Sequence, residues 1–123
     1  MEVSERIIIT KDMSAAFAEL SGDYNSIHFD DEAAGLSFFG RPIAHGILLV
    51  SFFSKLIAMQ YPGPGSIYLS QQIDFKAPCY IGEEIKVTIK LKKQQGSIYF
   101  LDTYITDMNN QILVIGAATI LKK

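Results

Sequence analysis

A single cysteine, no tryptophan and two histidines set the first limits on this chain. With Cys79 alone, an internal disulfide and a multi-cysteine zinc site are both excluded, and a buried, inert thiol in a reducing compartment is expected. A dominant charge of one sign is also missing. Thirteen acidic and eleven basic residues leave a net charge of -2, and the lysines of the second half alternate with apolar residues, so no nucleic-acid platform is expected. The longest apolar stretch, Ile47 to Met59, is broken by Ser51, Ser54 and Lys55 and falls short of the ~20 residues a membrane span requires. Met1 to Arg6 carry acids and no long apolar core, so neither a signal nor a transit peptide is expected, and a cytoplasmic location follows. What is present is 123 residues, 49% hydrophobic and 20% charged. That suffices for one compact domain over 1–123 with a substantial core, and leaves no room for a second.

Ser4 to Thr10 contains Ile7, Ile8 and Ile9 and predicts a short first strand. Asp12 offers an N-cap, and Met13, Ala16, Phe17 and Leu20 follow at the spacing of an amphipathic helix that Gly22 closes. Asp30 and Asp31 can cap a short further helix ending near Gly35, after which Phe38, Phe39, Gly40 and Pro42 make an irregular approach to a longer one. From about Ala44 to Tyr61 the apolar residues leave only a narrow polar stripe, which predicts a helix covered on nearly all sides. Pro62-Gly63-Pro64-Gly65 stops it. This turn lacks a phosphate-binding lysine and the G-x-G-x-x-G context of a nucleotide loop.

Four strands should follow. Ile67, Leu69, Ile73 and Phe75 share one face of the first, and Ile85, Val87, Ile89 and Leu91 alternate strictly with polar residues in the second. Turns at Gln95-Gly96-Ser97 and Asp107 to Asn110 separate the last two, Ile98 to Thr106 and Gln111 to Leu121. The pattern predicts an α+β chain whose five-stranded antiparallel sheet wraps around a long central helix, the hot-dog arrangement. Open sheet edges on so short a chain favour pairing into a homodimer.

Both histidines lie in two short segments, Ser21-Gly22-Asp23-Tyr24-Asn25-Ser26-Ile27-His28 and Arg41-Pro42-Ile43-Ala44-His45-Gly46. Imidazole titrates near neutral pH, so any histidine chemistry must occur where these segments meet. Asp23 and His28 stand five positions apart just after a helix-closing glycine and form a candidate acid/base dyad. Asn25 can hold the same loop through side-chain to backbone bonds.

The first segment is similar to the S-G-D-x-N-P-aliphatic-H pattern of the MaoC-like, hydratase-2 group of (R)-specific enoyl-CoA hydratases. The second resembles that family's R-P-I-x-H-G block, and Gly65-Ser66-Ile67-Tyr68-Leu69 with Phe75-Lys76-x-Pro78 resembles a third. Ser26 stands where the family pattern has proline, which removes one fixed φ from the loop. The resemblance spans nearly the whole chain and implies the hot-dog fold, an active site near a dimer interface, and an acyl-CoA thioester substrate. It assigns to Asp23 and His28 the water that adds to C3 of a trans-2-enoyl-CoA, and to the Gly46 backbone N–H the enolate oxygen. A glycine there would let the substrate approach the backbone closely. Ser54 falls where the family places a serine bonded to the catalytic pair, and Ile57, one turn beyond, is a candidate wall of an acyl pocket. His45 is read as shaping the turn or capping the helix. No metal and no separate cofactor are implied, since CoA is part of the substrate.

Three other functions compete. His28, Asp30 and His45 can be arranged as an iron-binding facial triad, but such sites belong to folds with many more strands. A hot-dog thioesterase would share the scaffold and the CoA substrate, yet residues 44–61 contain no Asp or Glu to activate water at the thioester carbon. A non-catalytic acyl-CoA-binding protein is the third, against which the intact Asp23, His28 and Gly46 stand.

Overall fold

The structure is a computed structural model that describes residues 1–29 and 40–123. The expectations for Asp30, Asp31, Gly35, Phe38 and Phe39 lie outside the described residues. Strand β1 (Glu2–Ile8) leads into helix α1 (Lys11–Ser21), a 3-10 turn (Ser26–His28) and helix α2 (Gly46–Met59). Strands β2 (Ile67–Phe75), β3 (Glu84–Gln95), β4 (Ile98–Asp107) and β5 (Ile112–Leu121) follow. All five strands form one antiparallel sheet in the order β1-β3-β4-β5-β2, the hot-dog architecture.

Alternation decides the sheet's inner face. Ile85, Val87 and Ile89 of β3 are buried with Leu101 and Ile105 of β4 and with Val114, Ala118 and Ile120 of β5. Against this face lie Leu48, Leu49, Phe53, Leu56 and Ile57 of α2, forming one core cluster with Ile7 and Ile9. A Lys55 to Glu5 ion pair at 2.8 Å adds a polar tie between α2 and β1. No helix among the described residues is long and apolar enough to cross a membrane.

Four details differ from the sequence reading. Thr10, not Asp12, caps α1, because its hydroxyl accepts the Met13 N–H at 3.1 Å while Asp12 lies inside the first turn. The buried face of α1 is Ser14 and Ala18, with Met13 and Phe17 half-buried, whereas Leu20 is 86% exposed. Helix α2 exposes Ile47, Ser51, Ser54, Lys55 and Met59, a stripe wider than its polar residues alone. Finally, Ile67, Leu69 and Phe75 of β2 are exposed, because β2 forms the sheet edge and its register shifts between Tyr68 and Ser70.

Candidate active site

The two histidine segments meet through their backbones. Gly22 ends α1 in the left-handed conformation (φ 82°), which turns the chain sharply into Asp23. Three bonds then hold Asp23. Its N–H donates to Ser21 Oγ at 3.1 Å, its Oδ1 accepts from the Asn25 N–H at 3.1 Å, and its carbonyl accepts from His45 Nε2 at 3.0 Å. Asn25 caps the 3-10 turn by accepting the Ile27 N–H on Oδ1 at 3.3 Å. Ile43 donates its N–H to the Ile27 carbonyl at 3.2 Å, and the Ala44 N–H reaches the Cys79 carbonyl at 2.7 Å. Residues 43–44 are thereby clamped between the dyad loop and the segment that precedes β3.

His28 is buried, and its ring has a defined direction. Nδ1 lies 2.7 Å from the Ile43 carbonyl. A carbonyl only accepts, so in the neutral ring Nδ1 carries the hydrogen and Nε2 keeps the lone pair. No described residue bonds to that Nε2. His45 stacks on the His28 ring at 3.8 Å between centroids and 27° between planes, with Phe17 at 4.9 Å as another ring neighbour. A carboxylate oxygen of Asp23 and a ring nitrogen from each histidine lie within 4.8 Å of one another. Each ring commits one nitrogen to a backbone carbonyl, and the remaining His45 nitrogen faces Ser14. Among the described residues, the ring lone pair without a partner is that of His28.

His28 and Gly46 face one apolar cleft of about 480 Å³, walled also by Ile47, Leu49, Phe75 and Lys76. Gly46 is the first residue of α2, and His45 before it makes no side-chain cap. The leading N–H groups of this helix therefore keep their hydrogen-bonding capacity and sit at the positive end of its dipole. The glycine has a reason the sequence did not disclose. A Cβ on Gly46 would lie 2.6 Å from Phe75 Cε1 and 2.9 Å from Cζ, so the aromatic ring occupies the space a side chain would need. Cys79 also lines the cleft, and burial, with Glu83 and Asp107 nearby, pushes its thiol up to about 12. It stays protonated. On the other side of His28 a second cleft of about 450 Å³ is bounded by Lys11, Ser14, Phe29 and Arg41. Arg41 lies 3.9 Å over the Tyr80 ring and 3.5 Å from Glu83.

Of the residues singled out from the sequence, Asp23, Asn25, His28 and Gly46 converge, although Asp23 is exposed and walls neither cleft. Ser54 does not join them within one chain. It is exposed on α2, two turns beyond Gly46, and lines neither cleft. Ile57 faces inward from α2 and is buried in the core rather than lining the cleft. His45 does not cap α2 with its side chain, but reaches back to Asp23. Sequence reasoning missed Ser14, whose hydroxyl is 3.5 Å from His45 Nδ1. The apolar spacing put Met13, Ala16, Phe17 and Leu20 on the inner face of this helix and gave no signal for Ser14.

This geometry has close counterparts. The model of the MaoC like domain family matches residues 1–104. An (R)-specific enoyl-CoA hydratase of Aeromonas caviae is 38% identical over 98% of this chain and 94% of its own length. A mitochondrial 3-hydroxyacyl-[acyl-carrier-protein] dehydratase of Arabidopsis thaliana is 32% identical over 93% of this chain and 70% of its own length. Among solved structures, an (R)-hydratase from A. caviae superposes with a TM-score of 0.97 at 35% identity, covering 100% of this chain and 95% of that one. An R-hydratase from Pseudomonas aeruginosa gives 0.92 at 31% identity, over 99% and 79%. By sequence, fold and the residues brought together here, the chain belongs to the MaoC-like family.

Proposed function

We propose that this chain is an (R)-specific enoyl-CoA hydratase, a hydro-lyase that adds water reversibly to a trans-2-enoyl-CoA and, in reverse, dehydrates an (R)-3-hydroxyacyl-CoA. One observation carries the reading. His28 has its Nδ1–H tied to the Ile43 carbonyl, which leaves Nε2 as the base of a ring that lies close to Asp23 and faces the same apolar cleft as Gly46. The substrate's acyl chain lies along Ile43, Ile47 and Leu49, with its thioester oxygen toward Gly46. Asp23 and His28 hold a water, and His28 Nε2 takes its proton as the oxygen bonds to C3. The C2–C3 π electrons move onto the thioester, where the positive end of α2 stabilises the enolate oxygen. The pair then returns a proton to C2, and the sum is one water added with no net oxidation. No redox cofactor is called for, and CoA enters as part of the substrate. Of Lys76, Lys90, Lys92 and Lys93, Lys76 is the one on the cleft wall and is the candidate for a CoA phosphate.

The functional unit in this reading is a single domain assembled as a homodimer in the cytoplasm. Ile67, Leu69 and Phe75 leave more than half of their surface open along the β2 edge, where a second copy can add its own edge strand. Light scattering on the purified protein, with Leu69→Lys as the disrupting variant, tests the assembly. A wild type that stays monomeric would remove it.

The activity is tested by following the enoyl thioester absorbance with crotonyl-CoA and identifying the stereochemistry of the product. Loss of the signal with (R)-3-hydroxy product is expected, and Asp23→Asn and His28→Gln should each lower kcat by about a hundredfold or more. Release of free thiol without hydration, or near-full activity in either variant, would overturn the assignment.

A further inference from the structure

We propose that Ser14 and His45 form a positioning pair in which the serine hydroxyl holds the His45 ring and thereby fixes the catalytic loop, a role that rests on the hydratase reading above. His45 is 2% exposed and Ser14 1% exposed, so both polar side chains are buried. Nε2 of His45 lies 3.0 Å from the Asp23 carbonyl and must carry the hydrogen, because the carbonyl can only accept. In the neutral ring Nδ1 then needs a donor. The hydroxyl of Ser14, at 3.5 Å, is the group facing it.

The consequence reaches the chemistry without touching substrate. His45 holds the Asp23 main chain by its edge and stacks against the His28 ring by its face. Replacing Ser14 by alanine leaves the buried Nδ1 lone pair unpaired, which favours turning the ring toward another donor. That turn releases the Asp23 carbonyl. Because small misplacements of reacting groups cost rate steeply, Ser14→Ala should lower kcat by roughly tenfold. KM should change by less than about twofold, since Ser14 does not line the cleft that holds the acyl chain.

The direct test is a long-range proton–nitrogen correlation spectrum of the ring nitrogens. Wild-type protein should show His45 protonated on Nε2 and bare on Nδ1, and Ser14→Ala should show a shifted Nδ1 resonance, from loss of the hydroxyl donor, together with the loss of kcat. His45→Gln, which can place an amide N–H near the position of Nε2–H, should keep more activity than His45→Leu at comparable thermal stability. An Nδ1–H tautomer in the wild type, or full kcat and an unchanged His45 spectrum in Ser14→Ala, would overturn the proposal. Equal activity of the two His45 variants would do so as well, including when Ser14→Ala does not fold. A wild type that hydrates no enoyl thioester would instead remove the hydratase reading, and the nitrogen spectrum would still decide whether Ser14 holds the ring.

Discussion

Gly46→Ala isolates the contact that links the end of β2 to the start of α2. The added methyl carbon would sit 2.6, 2.9 and 3.1 Å from three atoms of the Phe75 ring. Unstrained carbon contacts lie near ~3.5–4.0 Å, so the ring or the helix must give by about 1 Å. Overpacking of this kind costs ~1–3 kcal/mol in a closed core. Phe75 is 52% exposed at the sheet edge and can swing aside, which places the cost near the lower limit. Alanine also forms helix more readily than glycine by up to ~1 kcal/mol, which offsets part of it. The net loss of stability should therefore be about 0–1 kcal/mol, a fall in Tm of no more than ~5 °C.

Activity should suffer far more. The ring displaced by the methyl group lines the cleft, and the Gly46 N–H shifts with the first turn of α2. A misplacement of about 1 Å in a reacting group can cost ~100-fold in rate, and that is the expected fall in kcat. The assay is steady-state hydration of crotonyl-CoA beside thermal unfolding, for Gly46→Ala, Phe75→Ala and the double variant. Removing the ring removes the clash, so the double variant should recover most of the Tm and at least ~10-fold of the activity lost in Gly46→Ala, a non-additive result. Wild-type kcat in Gly46→Ala, or no recovery in the double variant, would refute the reasoning that Phe75 is what demands glycine here.

Three further outcomes follow from other contacts. A Cβ on Gly116 would lie 2.0 Å from the Gln72 carbonyl oxygen, a backbone atom of the neighbouring strand; Gly116→Ala should cost about 3 kcal/mol or more by urea denaturation, and a loss below ~1 kcal/mol would show that β2 and β5 adjust easily. Cys79 should resist iodoacetamide at pH 8 while folded and react readily in denaturant, because its thiol is held at about 12; equal rates in both states would contradict its burial. The same shift sets a sign for alkaline stability. From the usual value of 9.0 up to about 12 the unfolded chain loses a proton that the folded chain keeps, so this contribution is present in full below pH 9 and diminishes as pH rises. Cys79→Ala should flatten the decline measured by denaturant unfolding between pH 8 and pH 11.

Local order was legible in the chain. Strict alternation from Glu84 to Lys92 specifies a strand with one buried face, and the apolar run after Gly46 specifies a helix that must be covered. Glycine after Ser21, the Asp23 and Asn25 turn residues and the two histidines marked a loop of chemical interest, because these side chains act on backbone only a few residues away. Other features needed the assembled fold. Which side of α1 is buried depends on how the helix lies against residues 43–46, so Ser14 rather than Leu20 faces inward and finds a ring 31 positions away. The ring of Phe75 settles against Gly46 because the sheet returns its edge strand to the start of α2, and Ser54 and Ile57 fall outside the cleft because rotation about the α2 axis sends one to the surface and the other to the core. Periodicity and turn chemistry are short-range and can be read along one dimension. The partner of a buried polar atom, and the void beside a glycine, are set by elements distant in sequence whose packing only the tertiary structure decides.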